Sequence, residues 1–174
     1  AYEILYRLVG SEMCIRDRKE GVKDYIRSIT KIKPREYQIE GVCDCLKHNR
    51  RLLVSPTASG KSLMIYSLVR YYVHKGMKIL LVVPTTSLVE QMYKDFIEYG
   101  WDAKNHCHRI YSGREITNTN EVTITTWQSV FRMEKSFFKD YNVIIGDEAH
   151  LFKSKSLVNI CLLYTSPSPR DGIG

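Results

Sequence analysis

Apolar residues along this chain follow two rhythms. Short unbroken runs, Leu52-Leu53-Val54, Ile79 to Val83 and Val143-Ile144-Ile145, have the length of strands buried on both faces. Elsewhere apolar residues return every three or four positions, as at Ile39, Val42, Cys43 and Leu46 and again at Leu88, Met92 and Phe96, which marks one face of a helix. The pattern predicts a helix over Arg35–His48, a strand over Arg51–Val54 and a helix over Lys61–Lys75 stopped by Gly76. A strand over Lys78–Val83 follows, ended by Pro84, then a helix over Ser87–Tyr99 that Thr85 or Thr86 can cap. A weaker strand is expected over Cys107–Tyr111, and a stronger one over Val122–Thr125, where apolar residues alternate with Thr. A short helix over Trp127–Phe131 and a buried strand over Asn142–Gly146 complete the series. Strands alternating with helices predict an α/β domain, its mostly parallel sheet covered by helices on both faces. In such a sheet, ligands bind beyond the carboxyl ends of the strands.

Both ends of the chain call for separate treatment. One DNA segment, read from its two strands in shifted frames, encodes both Leu8–Asp17 and Cys161–Arg170. It resembles a translated sequencing-library adapter, so residues 1–18 and 161–174 are expected to be foreign to the domain. Residues 19–34, charged with scattered apolar positions, read as a linker or the tail of a preceding element. The expected domain is 35–160, part of something longer.

The whole chain carries a net charge of +7. Setting the two ends aside removes equal numbers of basic and acidic residues and leaves that charge unchanged. A basic domain suits a polyanionic partner, although an ordinary solvated surface gives the same total. Cys43, Cys45 and Cys107 remain inside the domain. Their spacing lacks a Cys-x-x-Cys knuckle, so reduced thiols in a cytoplasmic protein are expected rather than a metal centre. No apolar run is long enough to span a bilayer, and no membrane partner is expected.

The chemistry concentrates at two strand ends. After Leu52-Leu53-Val54 comes Ser55-Pro56-Thr57-Ala58-Ser59-Gly60-Lys61-Ser62, which meets G-x-x-x-x-G-K-[ST] except that Ser55 stands for the first Gly. Small residues between strand and helix let backbone N–H groups converge on phosphates, and the helix N-terminus adds partial positive charge. Gly60 permits close approach, Lys61 can reach the β- and γ-phosphates, and the Ser62 hydroxyl can ligate Mg²⁺. The strand ending at Gly146 delivers Asp147-Glu148-Ala149-His150. Asp147 in that place can hold Mg²⁺, and Glu148 can polarise a water for attack on the γ-phosphate of ATP.

The two motifs together resemble the first RecA-like domain of superfamily 2 DEAH-box-type DNA helicases and translocases, most of all phage helicases of the UvsW type. Four further stretches fit in order. Pro34-Arg35-Glu36-Tyr37-Gln38 is similar to the adenine-recognition segment, which implies that Gln38 contacts the base. Val83-Pro84-Thr85-Thr86, Ser112-Gly113-Arg114 and Thr125-Thr126-Trp127-Gln128 are similar to motifs that hold a nucleic-acid strand. The resemblance thus implies backbone contacts from Thr85, Thr86, Arg114 and Thr126, with capping and loop chemistry as the plainer role for each. Trp127 can stack on a base or pack in the core. Thr57, Ala58, Ser59, Gly60, Lys61 and Ser62 are implied in ATP binding, Lys61, Asp147 and Glu148 in catalysis, and His150 in coupling between domains. The implied cofactors are ATP and Mg²⁺. The implied partners are DNA, single-stranded or branched, or else RNA, and a second RecA-like domain carrying arginine fingers. A domain without that second half is expected to hydrolyse ATP poorly. A restriction-enzyme motor subunit and a non-hydrolytic nucleic-acid-binding module stay open beside the helicase.

Overall fold

In the computed structural model, residues 2–8, 19–48, 50–55, 60–111 and 120–148 are described. Strands β1 (Tyr2–Leu8), β2 (Arg50–Ser55), β3 (Ile79–Val83), β4 (Cys107–Ile110), β5 (Val122–Thr126) and β6 (Val143–Asp147) form one sheet in the order β2-β1-β6-β3-β5-β4. The long helices are α1 (Lys19–Ser28), α2 (Glu36–Leu46), α3 (Lys61–His74) and α4 (Thr86–Glu98). The short ones are α5 (Ala103–His106), α6 (Trp127–Val130) and α7 (Lys135–Phe138).

Four strands, β6, β3, β5 and β4, run parallel, as the alternation of strand and helix predicts. All five residues of β3 are buried. Ile79, Leu81 and Val83 face the larger core with α1 to α4, while Leu80 and Val82 face a smaller core with Trp127, Val130, Phe138 and Ile144. A strand covered on both faces has no polar side to show, which accounts for its unbroken apolar run. Trp127 sits in the smaller core, taking the packing role rather than the stacking one.

Residues 19–28, within the stretch read as a linker or the tail of a preceding element, form α1, with Val22 and Ile26 buried and Tyr25 and, just beyond the helix, Ile29 half-buried against the core. Those four positions follow helical spacing, but the charged residues between them mask it. Exposed charges are matched along the way, Lys23 to Glu36 at 2.9 Å and Arg27 to Glu36 at 3.2 Å. Strand β1 lies within the stretch expected to be foreign, and it pairs antiparallel with both β2 and β6. Tyr2 stands opposite Ser55 and Ile4 opposite Asp147, so β2 and β6 are parallel to each other and their carboxyl ends share one edge. Val83 is level with Thr126 and Val82 with Gly146, which brings the ends of β3 and β5 to that edge too.

Candidate nucleotide site

Gly60 begins the site. It has φ +69°, in the left-handed region that favours glycine, and serves as the N-cap of α3. A Cβ there would lie 2.3 Å from Nε2 of Gln38. The tight contact arises because the buried Gln38 amide donates to the Gly60 carbonyl at 3.2 Å, while its Oε1 accepts from the Arg35 N–H at 2.8 Å. Gln38 therefore fastens the start of α2 to the start of α3. Sequence reasoning assigned it a base contact and missed this structural duty, although a Gln at the third position of a helix is a recognised capping signal.

From the first turn of α3, the Lys61 ammonium donates to Asp147 Oδ1 at 2.6 Å and to Glu148 Oε1 at 2.5 Å. The three charged side chains are largely withdrawn from solvent: 15% of Lys61, 5% of Asp147 and 11% of Glu148 stays exposed. Burial pushes the Asp147 carboxyl above the usual carboxylate range, with the Lys61 ammonium opposing the shift. One cation thus holds two carboxylates that would otherwise repel each other. Glu148 has φ +55°, an uncommon left-handed conformation for a residue with a side chain, and its N–H donates to Asp147 Oδ1 at 3.0 Å. That backbone turn sets the two carboxylates side by side beyond the strand. Phosphate-loop lysine and strand-end acids, 86 positions apart for Asp147, therefore meet as the two motifs predict.

Ser62 follows on the same helix turn, and its hydroxyl lies 2.6 Å from the hydroxyl of Tyr99, the residue that caps the end of α4. Sequence reasoning missed Tyr99, because nothing local marks a contact spanning 37 positions. Ser62 and Asp147 offer hard oxygen donors of the kind Mg²⁺ takes, a hydroxyl and a carboxylate.

Two threonines of the candidate nucleic-acid edge play cap roles. Thr85 is exposed and accepts from the Leu88 N–H at 3.3 Å, capping α4; Thr86 is exposed beside it. Thr126 is buried, and its hydroxyl accepts from the Ser129 N–H at 3.3 Å, capping α6. Of the two, only Thr85 shows its side chain to solvent, and the exposed side chain next to Thr126 is Gln128. Thr57, Ala58, Ser59, Arg114 and His150 lie outside the described residues. Cys43, Cys45 and Cys107 are buried, and none of them is in a disulfide among the described residues. Among the described residues there is no cluster of three or more His, Cys, Asp or Glu residues that would hold a metal, and no helix is long and apolar enough to cross a membrane.

With the site in place, comparison with known proteins is informative. Residues 31–169 match the family described as type III restriction enzyme, res subunit. The ATP-dependent DNA helicase uvsW of Enterobacteria phage T4 is 37% identical over 136 residues, which is 75% of this chain and 27% of that protein. A DNA 3'-5' translocase, XPB2 of Sulfurisphaera tokodaii, is 29% identical over 139 residues, covering 79% of this chain and 29% of the relative. The crystal structure of the UvsW helicase from bacteriophage T4 superimposes with a TM-score of 0.79 at 30% identity, over 86% of this chain and 57% of that one. The chain thus spans under a third of the length of these two relatives.

Proposed function

Because this chain belongs to the family of the type III restriction enzyme res subunit and has its RecA-like helicase fold, we propose that it is the ATP-binding motor domain of an ATP-dependent DNA helicase or translocase. The observation that carries this is the convergence of Lys61 with Asp147 and Glu148 beyond the carboxyl ends of the strands. The names of the relatives, a DNA helicase and a DNA translocase, support DNA as the polymer and ATP as the fuel. They favour this reading over a restriction-enzyme motor, which rests on the family description alone.

In this reading the triphosphate enters against the N-terminus of α3. Its oxygens compete for Lys61, which then leaves the carboxylates and binds the β- and γ-phosphates. Release from Lys61 turns Glu148 from an ion-pair partner into a base. It accepts the proton of the water that attacks the γ-phosphorus, and ADP departs as the phosphoryl bond breaks. Ser62 and Asp147 are the residues that would hold Mg²⁺, which when bound supplies positive charge against the phosphate oxygens. Gln38, which touches Gly60, is proposed to contact the base of the nucleotide, with Thr57, Ala58 and Ser59 contributing to the phosphate loop. Thr85, Thr86 and Arg114 are proposed to face the strand backbone, Thr126 to shape that edge by capping α6, and His150 to couple hydrolysis to a second RecA-like domain.

The test is single-turnover hydrolysis with the chain in excess over labelled ATP, comparing it with Glu148→Gln. The expected result is slow hydrolysis in the parent chain, reduced by roughly 10²- to 10⁴-fold in the variant, the range of a general base. Equal, measurable rates in both would reject Glu148 as the base, and no hydrolysis by the parent chain would reject the reading that this domain hydrolyses ATP by itself.

A further inference from the structure

The Ser62–Tyr99 contact is used by nothing described so far. It joins a residue at the start of α3 to the last residue before the stop of α4, with a hydroxyl-to-hydroxyl distance of 2.6 Å. Tyr99, half-buried, is held through its backbone, its ring and its hydroxyl. Its N–H donates to the Asp95 carbonyl at 2.9 Å, and its own carbonyl accepts from the Lys31 N–H at 3.0 Å. Its ring meets that of Tyr66 edge-on, with centroids 5.2 Å apart. Tyr66 is itself held, its hydroxyl donating to the Ile29 carbonyl at 2.7 Å and accepting from Arg70 Nη1 at 2.7 Å. Gly100 follows with φ +100°, and a Cβ there would lie 2.9 Å from the Lys31 side chain, so the backbone beyond Tyr99 is equally constrained.

A serine hydroxyl has one proton and two lone pairs. Where its oxygen serves a cation, a lone pair must point at the ion, and the proton must go elsewhere. An acceptor that takes this proton fixes the direction of the lone pairs, as outer partners of metal ligands do. We propose that Tyr99 is the positioning residue for Ser62: its phenol oxygen accepts the Ser62 proton and thereby aims the serine oxygen at the Mg²⁺ of a bound nucleotide. The inference rests on the phosphate-loop reading of Gly60-Lys61-Ser62 and adds to it a residue outside every motif, contributed by a different helix. A purely packing role would leave the ring important and the hydroxyl dispensable.

The experiment is calorimetric titration of ATP, in EDTA and across a range of MgCl₂, into the parent chain, Tyr99→Phe, Ser62→Ala and the double variant. Tyr99→Phe keeps the ring against Tyr66 and removes only the hydroxyl; circular dichroism and melting confirm that each variant is folded. The Mg²⁺ concentration needed for half of the tightening is expected to rise roughly tenfold in Tyr99→Phe, the size of effect outer partners of metal ligands show. Affinity in EDTA stays unchanged, and Tyr99→Phe has no further effect once Ser62 is Ala. An unchanged Mg²⁺ requirement, an equal loss with and without Mg²⁺, or the same shift in the Ser62→Ala background would each overturn the proposal while leaving the phosphate loop intact. Failure of the parent chain to bind ATP in either condition would overturn the phosphate-loop reading as well. Should Tyr99→Phe not fold, Ser62→Ala alone decides: a Mg²⁺ dependence equal to that of the parent chain would show that Ser62 is not a ligand, and the proposal falls.

Discussion

Lys61 is held between Asp147 and Glu148, and on the proposed function a bound nucleotide would have to undo that arrangement. Three charges withdrawn from water are tolerable because one cation serves both acids. The neighbouring Gly60 keeps that geometry possible, with φ +69° and the Gln38 amide pressed against it. Gly60→Ala is therefore expected to cost about 1–2 kcal/mol for a left-handed alanine and to push Gln38 off the Gly60 carbonyl. Chemical denaturation measures the loss, and a stability equal to the parent chain would show the loop to be pliant. That Gly60, Lys61, Asp147 and Glu148 belong to one candidate site was legible in the sequence, because each belongs to a contiguous motif with its own spacing. What Gln38 and Thr126 do was only half legible. The resemblance implied a base contact for Gln38 and a strand contact or a cap for Thr126; the cap on α6 is what the structure shows, and the Gln38 bond to Gly60 had no sign in the sequence. Tyr99 was not legible at all, since a tyrosine at a helix end carries no sign of the hydroxyl it will meet.

Helix α4 shows how an element can carry two duties. Its first turn is capped by the exposed Thr85, and its last residue leads into Tyr99. Thr85→Ala removes the acceptor of the Leu88 N–H and is expected to destabilise the chain by about 1 kcal/mol, seen as a drop of a few degrees in melting temperature. On the proposed strand contact, the same variant also binds single-stranded DNA more weakly by fluorescence anisotropy. A melting change with unaltered DNA affinity would reduce Thr85 to a cap. Elements with clear boundary signals, such as β3 before Pro84 and α3 between Gly60 and Gly76, were readable to within a residue or so at their ends. Helix α1 was not, because its four apolar positions are separated by charges that a linker would also have. Its docking depends on partners elsewhere, as when the Tyr25 hydroxyl donates to the Arg70 carbonyl at 3.0 Å.

Among the described residues, one sheet edge gathers the end of β2, the acidic pair and the Thr85 turn. The parallel part of the sheet was foreseeable from alternating strands and helices. The antiparallel β1 between β2 and β6 was not, because its pairing with residues near 50 and near 145 is wholly non-local. That edge is where the account stands or falls, and the claim at its centre is that Lys61 is the nucleotide's cation. The most direct measurement is calorimetric titration of ATP with Mg²⁺ into the parent chain and into Lys61→Ala, with circular dichroism confirming that both are folded. The account predicts one saturable site in the parent chain and at least a roughly tenfold weaker affinity in the variant, consistent with losing a charge-assisted contact. Equal affinity in the two would contradict it.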